Sequence, residues 1–226
     1  MKRVLLILMA LTTFTAMQAQ EDEVPNSSSS KMFVNMNFSG RAGTSMYKQT
    51  VNSNGYKFKD VALTGGAAEL EFTLRGFRYQ LEFDYQQGDM SDVTANVEGK
   101  PEFKYDQNKF AEDLKIMTGI FYMGTTIFPC KRFQIPIYAG FGGEYIQGYP
   151  MENFSFCFGF KGRAVLYLTK NVGLFAGYRY KLSANEKTKN DFEGLKESDK
   201  MEFINNYHTA EVGLTFMLGR LGGNKQ

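Results

Sequence analysis

From about residue 32 onward the chain alternates apolar and polar positions with a period of two, the spacing of a strand with one face on each side. Met32, Val34, Met36 and Phe38 alternate with Asn35, Asn37, Ser39 and Arg41. Ala68, Leu70, Phe72 and Leu74 alternate with Glu69, Glu71, Thr73 and Arg75, and Phe77, Tyr79, Leu81, Phe83 and Tyr85 with Arg78, Gln80, Glu82 and Asp84. A fourth run places Leu114, Ile116, Ile120, Tyr122 and Phe128 on its apolar face, and a fifth Phe133, Ile135, Ile137, Ala139, Phe141 and Tyr145. Phe156, Phe158, Phe160, Ala164, Leu166 and Leu168 then oppose Cys157, Lys161, Arg163 and Tyr167. Val172, Leu174, Ala176, Tyr178 and Tyr180 oppose Phe175, Arg179 and Lys181, and Ala210, Val212, Leu214, Phe216 and Leu218 oppose Glu211, Thr215 and Met217. The pattern predicts eight strands.

The connections support the same reading. Arg75-Gly76 separates Leu74 from Phe77, Thr169-Lys170-Asn171 separates Leu168 from Val172, and Pro129-Cys130-Lys131-Arg132 separates Phe128 from Phe133. Residues flanking a hairpin turn pair on one face, and each of these pairs is apolar with apolar. The other connections, about 44–60, 88–112, 148–152 and 183–205, are longer and polar. Short turns at one end and longer loops at the other are the asymmetry of a membrane barrel, whereas a soluble sandwich has no reason to sort its loops by end.

Alternation alone does not say which face points inward, since a small soluble barrel hides its apolar face around a ligand. Bulky opposite charges fill the polar face, and aromatic residues cluster toward strand ends: Tyr85, Tyr145 and Tyr180 near the loops, Phe77, Phe128 and Phe133 near the turns. Those are the expected girdles of a spanning barrel. The fold class predicted is all-β, an eight-stranded antiparallel up-and-down transmembrane β-barrel.

The first residues read as an address. Met1-Lys2-Arg3 is followed by an apolar run to Met17 and by Ala19, the pattern of a secretory signal over residues 1–19. The run is too short for a spanning helix, and beyond Ser30 no apolar stretch is long enough for one. Residues 20–30, acidic and then Ser-rich, read as a flexible periplasmic tether, 31–219 as the barrel and 220–226 as a C-terminal tail.

Composition changes this picture little but removes alternatives. The 226 residues carry 26 Lys and Arg against 24 Asp and Glu, which excludes a polybasic nucleic-acid binder, and the 43% hydrophobic content excludes disorder. Two Cys and one His leave no basis for a disulfide framework, and no cofactor or metal is expected. Cys130 in a turn and Cys157 toward the other end of its strand are too far apart to bridge. The mean hydropathy is that of a soluble domain, because half of each strand and the loops are polar.

At the chain's end, Glu211-Val212-Gly213-Leu214-Thr215-Phe216-Met217-Leu218 is similar to the C-terminal insertion signal of outer-membrane barrels: polar, any, Gly, any, any, aromatic, any, hydrophobic. With Gly177-Tyr178-Arg179-Tyr180, it makes the chain resemble, from about Lys31 to Gly219, the eight-stranded barrels of the OmpX, opacity-protein and OmpA transmembrane-domain type. The resemblance implies residence in the outer membrane of a Gram-negative cell with both termini periplasmic. It also implies recognition of Glu211, Gly213, Phe216 and Leu218 by the assembly machinery, although Arg220 to Gln226 follow the signal here.

An apolar face toward lipid puts Arg41, Arg75, Arg78, Lys115, Lys161, Arg163, Arg179 and Lys181 in the lumen with Glu69, Glu71, Glu82, Asp84, Glu144 and Glu211. An eight-stranded barrel is just wide enough for side chains to fill it, and unpaired buried ions are costly. The near balance predicts a plugged, structural charge network rather than a channel or a catalytic carboxylate pair. Some barrels of this size are lipid A deacylases with His and Ser two apart on the lipid face. His208 shares that face, but the position two later is Ala210, so no catalytic residue is expected. Recognition is left to the loops: 47–59 is basic and aromatic, 88–112 mixed, 184–203 dense in Lys, Glu and Asp. The function expected is that of a structural or surface-binding, adhesin-like barrel, partnered by outer-membrane lipid and an unknown protein, with no nucleic acid. The alternatives are an accessory subunit of a secretion or assembly complex, as in the PorT-type barrel, then a small porin or a lipid A-modifying enzyme.

Overall fold

The Arg75-Gly76 connection shows how the local sequence sets the register. Both residues adopt positive φ, 50° and 84°, the two-residue turn whose twist matches that of the flanking strands, and Leu74 pairs directly with Phe77 across it. In this computed structural model the described residues are 32–51, 54–58, 61–89, 95–98, 113–129, 132–148, 152–188 and 200–221. The predicted signal and tether, Cys130 and the last five residues lie outside them.

The described residues form ten strands: β1 (Met32–Val51), β2 (Asn54–Phe58), β3 (Val61–Leu74), β4 (Phe77–Asp89), β5 (Ala95–Glu98), β6 (Asp113–Pro129), β7 (Phe133–Gln147), β8 (Asn153–Tyr167), β9 (Val172–Thr188) and β10 (Lys200–Leu221). Eight of them pair antiparallel in the order β1-β3-β4-β6-β7-β8-β9-β10, and β10 returns to β1 to close an up-and-down barrel. Closure leaves this ring with no free edge.

The barrel's stagger follows from the pairing. Starting at Asn206 and stepping through Leu182, Phe158, Phe141, Phe121, Leu81, Leu70 and Met36 leads back to Phe216, ten residues further along the same strand. At about 3.3 Å per residue and a tilt of roughly 40°, that step rises about 25 Å, the height of a transmembrane barrel's apolar band. Between Asn206 and its return, each position on that line is apolar. The outer wall is where the large apolar side chains are exposed: Phe83, Phe156 and Val212 at 69%, 74% and 67%. For a protein in water this would be an extensive sticky surface; in a bilayer it is the solvated one.

Three local departures from the sequence reading have identifiable causes. Strands β1, β9 and β10 continue past the band, as far as Val51 with Met201 and Lys200 with Thr188, where loops were expected. Beyond the band the ladder goes on pairing backbone groups, β2 adds to the edge of β1, and β5 adds to that of β2. Next, a bulge between Thr126 and Phe128 takes up one residue, so Phe128 pairs with Ile135 rather than Phe133. The third is in β6, whose lumen-facing positions are Leu114, Ile116, Thr118, Ile120 and Tyr122, all buried. Leu114, Ile116, Ile120 and Tyr122 therefore face inward, not toward lipid.

Large rings fit inside because glycines face them. A Cβ on Gly159 would lie 2.4 Å from the Tyr122 hydroxyl, and one on Gly140 2.5 Å from the Tyr122 ring. On β10, a Cβ on Gly213 would stand 2.5 Å from the Phe175 ring. Tyr122 of β6 thus lies against bare backbone on β7 and β8, and Phe175 of β9 against that of β10.

Candidate functional site

The lumen holds the densest chemistry. Six cations and six carboxylates are buried in it among the described residues: Arg41, Arg78, Lys161, Arg163, Arg179 and Lys181 with Glu69, Glu71, Glu82, Asp84, Glu144 and Glu211. They sort into three self-neutral groups.

The central group has four of each sign. Arg41 on β1 reaches Glu82 at 2.8 Å, Asp84 at 2.8 Å, Glu211 at 2.9 Å and Glu69 at 3.1 Å. From the opposite wall Lys161 meets Glu82 at 2.7 Å and Glu69 at 3.2 Å, and Arg179 meets Glu82 at 2.6 Å and Asp84 at 2.7 Å. Arg163 clamps Glu69 through both of its terminal nitrogens and holds Glu211 at 2.5 Å through Nε. Asn37 and Gln80 donate to the remaining face of Glu69 at 3.1 and 2.8 Å. The bonds of Lys161, Arg163 and Arg179 tie β8 and β9 to β3 and β4 across the lumen, while Arg41 joins β1 to β3, β4 and its neighbour β10.

Toward the short turns, Arg78 bonds Glu71 at 2.7 Å and Thr126 at 2.8 Å and also reaches Gln134, while Tyr138 and Asn35 donate to Glu71. On the loop side Lys181 pairs with Glu144, which also accepts from Ser183 and Tyr207 at 2.7 Å each. Lys181 stands 4.1 Å from the Tyr207 ring centre and Lys161 4.3 Å from that of Tyr122, so aromatic faces take up part of the positive charge. Apolar residues cap both ends: Val61, Leu63, Leu114, Ile116 and Ile146 beyond the loop-side group, Val165, Tyr167 and Phe175 at the other. The pairing compensates for taking these ions out of water.

Two of the fourteen lumen residues expected from sequence are elsewhere. Arg75 is the first residue of the β3–β4 turn and exposed, because a two-residue turn needs both central positions. Lys115 is on the outer wall of β6, since its neighbours Leu114 and Ile116 are buried in the lumen. The aromatic lumen residues Tyr122, Tyr138 and Tyr207 were not anticipated. Thr118, Gly124 and Thr126, which share the parity of Tyr122, were the sequence sign that this face of β6 is not lipid-facing.

In the proposed insertion segment, Glu211 and Gly213 point into the lumen. Phe216 packs edge-on against Phe38 with ring centres 6.3 Å apart, and Leu218 is exposed on the outer wall. His208 is exposed on the outer wall, paired in register with Thr44 and Tyr180, and its Nδ1 is 2.5 Å from the Tyr178 hydroxyl. Cys157 is buried in the lumen and free. No group of His, Cys, Asp and Glu among the described residues has the arrangement of a metal site.

No family model and no curated protein matches the sequence. Solved structures do. The outer membrane protein OprG from Pseudomonas aeruginosa aligns with a TM-score of 0.51 at 8% identity, over 87% of this chain and 99% of that one. AlkL, determined in lipid bilayers, gives 0.49 at 10% identity over 92% and 98%, and Neisserial surface protein A 0.47 at 12% over 79% and 96%. Identities this low speak to fold alone. The closed ring, its apolar outer wall and its ionic interior give this chain the fold of the small eight-stranded outer-membrane β-barrels.

Proposed function

We propose that the protein is an integral, non-enzymatic barrel of the outer membrane with a sealed lumen. In this reading its long connections lie at the cell surface and both termini in the periplasm, and it serves as a structural or surface-binding protein through those connections. The observation that carries the reading is the cross-lumen ion network, in which four cations and four carboxylates neutralise one another between apolar caps. A conducting pore needs a continuous wet path, and here charged side chains tie opposite walls together. The short turns end the strands that the chain's own ends join, so periplasmic termini put the longer connections outside. Purified protein in planar bilayers is expected to give no stable single-channel current; discrete, reproducible openings would overturn the sealed lumen. Proteinase added to intact cells is expected to cut in the long connections and spare the barrel, and cleavage confined to permeabilised cells would reverse the orientation.

A further inference from the structure

The turn end of the barrel carries charge of one sign. Arg75 in the β3–β4 turn and Lys170 in the β8–β9 turn are exposed, and Arg132 before β7 is half-buried. Lys131 precedes Arg132, and at the remaining junction Lys31 precedes β1 while β10 ends through Arg220. In the ring order these four junctions are spaced around the whole circumference. No described residue nearer the turns than Glu71 carries a carboxylate, and Glu71 is bonded to Arg78 inside the lumen. The loop end differs: Asp89, Asp113 and Glu152 are exposed there, with Asp89 and Asp113 paired in register.

Turn chemistry does not ask for these cations. Arg75 has a φ of 50°, a region that Asn, Asp and Gly adopt far more readily than Arg. What the three share is height. Arg75 directly follows Leu74, Arg132 directly precedes Phe133, and Lys170 stands two residues past Leu168. Each of those neighbours is an apolar residue of the outer wall: Leu74 and Leu168 are exposed, and Phe133 is opposite the lumen-facing Gln134. Two residues of strand span about 7 Å, and the headgroup layer beyond the hydrocarbon is about 5–7 Å deep on each side. Each cation therefore stands at the depth of lipid phosphates, just beyond the turn-side edge of the apolar band.

We propose that this basic rim binds the phosphates of anionic phospholipids in the leaflet that the turns face. Cations distributed over four junctions suit an annulus of lipid, whereas a protein partner would meet one sector. Glu21, Asp22 and Glu23 of the predicted tether form a single run ahead of β1 and so match one sector as well. Arg and Lys lay their stems along apolar surface and keep their charges in the polar layer, as this position requires. The site rests on the reading of the outer wall as lipid-facing, and the test separates the two.

Full-length protein is reconstituted in phosphatidylcholine vesicles doped with spin-labelled phosphatidylglycerol or, in parallel, with spin-labelled phosphatidylcholine of the same chains. The fraction of label immobilised against the barrel is read by electron paramagnetic resonance at low salt. One basic side chain at a charged membrane surface is worth about fivefold in lipid preference, so phosphatidylglycerol is expected to be favoured about twofold averaged over the annulus. Salt at about 1 M, where the screening length is about 3 Å, brings the ratio toward one. Arg75→Asn, Arg132→Gln and Lys170→Gln combined abolish the preference in a chain that still shows the gel heat shift of a folded barrel. Each single change lowers it part-way and serves should the triple variant not fold. Lys115→Gln, on the outer wall toward the loop end, leaves it unchanged. Equal immobilisation of the two lipids by inserted wild type, or a preference that survives the triple change, overturns the rim. A preference that emerges only after residues 20–30 are deleted overturns it too, and assigns the rim to the acidic tether. A chain that does not insert at all overturns the membrane reading with it.

Discussion

Glu69 is the most heavily bonded carboxylate in the lumen, taking Arg41, Lys161, Arg163, Asn37 and Gln80 together. Removing its charge strands cations in a closed interior, and breaking a buried ion pair from one side costs about 3–5 kcal/mol. Glu69→Gln is therefore expected to lower the unfolding free energy of the barrel in detergent by about that amount, measured by urea titration read by gel mobility. Pairing it with Arg163→Met restores neutrality and is expected to recover part of the loss; a double variant as weak as the sum of the two singles would mean the charges do not act as one group. Space is as tightly specified as charge. Since a Cβ on Gly159 would stand 2.4 Å from the Tyr122 hydroxyl, Gly159→Leu forces Tyr122 off the wall and away from Lys161. Overpacking of this kind costs about 1–3 kcal/mol, and Tyr122→Ala in the same chain is expected to relieve it, which unfolding of the pair against each single variant will show.

At the scale of strands, alternation was legible wherever one face was polar. In β4 the odd positions from Phe77 to Tyr85 are exposed and the even ones from Arg78 to Asp84 buried, as the sequence implies. Strand β6 hid its register because both of its faces are apolar: Leu114, Ile116, Ile120 and Tyr122 on one, Met117, Phe121 and Met123 on the other. Its lone cation, Lys115, then marked the wrong side. Beyond the weak polarity of Thr118 and Thr126, the pairing of Tyr85 with Met117 and Met117 with Tyr145 reveals which face meets lipid. The same limit explains the site: none of the twelve lumen charges is on β6, whereas the Tyr178–His208 bond is a diagonal contact between strands that no single-strand pattern encodes. The two lysines separate these registers experimentally. Lys161→Ala, which strips Glu69 and Glu82 of a partner, is expected to destabilise the barrel by about 3–5 kcal/mol, and Lys115→Ala on the outer wall by under about 0.5 kcal/mol. Equal effects in urea titrations would put Lys115 back in the lumen.

The whole molecule joins two kinds of sheet. Within the band, each strand has two neighbours and the ring closes through β1 and β10, so opening any one pair means breaching the barrel and its cross-lumen bridges. Beyond the band, β1 and β10 continue alone with β9, while β2 hangs from β1 and β5 from β2 by pairings of four residues each. Short pairings at a sheet margin open without disturbing anything else, and local opening governs amide exchange. Amides of β3, β4, β7 and β8 between the girdles are therefore expected to exchange only with global unfolding, while those of β2, β5 and the loop-side ends of β1 and β10 exchange orders of magnitude sooner. Exchange followed by peptide mass spectrometry on the lipid-reconstituted protein tests this directly. Protection extending undiminished from Phe38 to Val51 along β1 would mean that the projecting sheet is held by something more than its ladder, and that the surface above the membrane is as rigid a platform as the barrel below it.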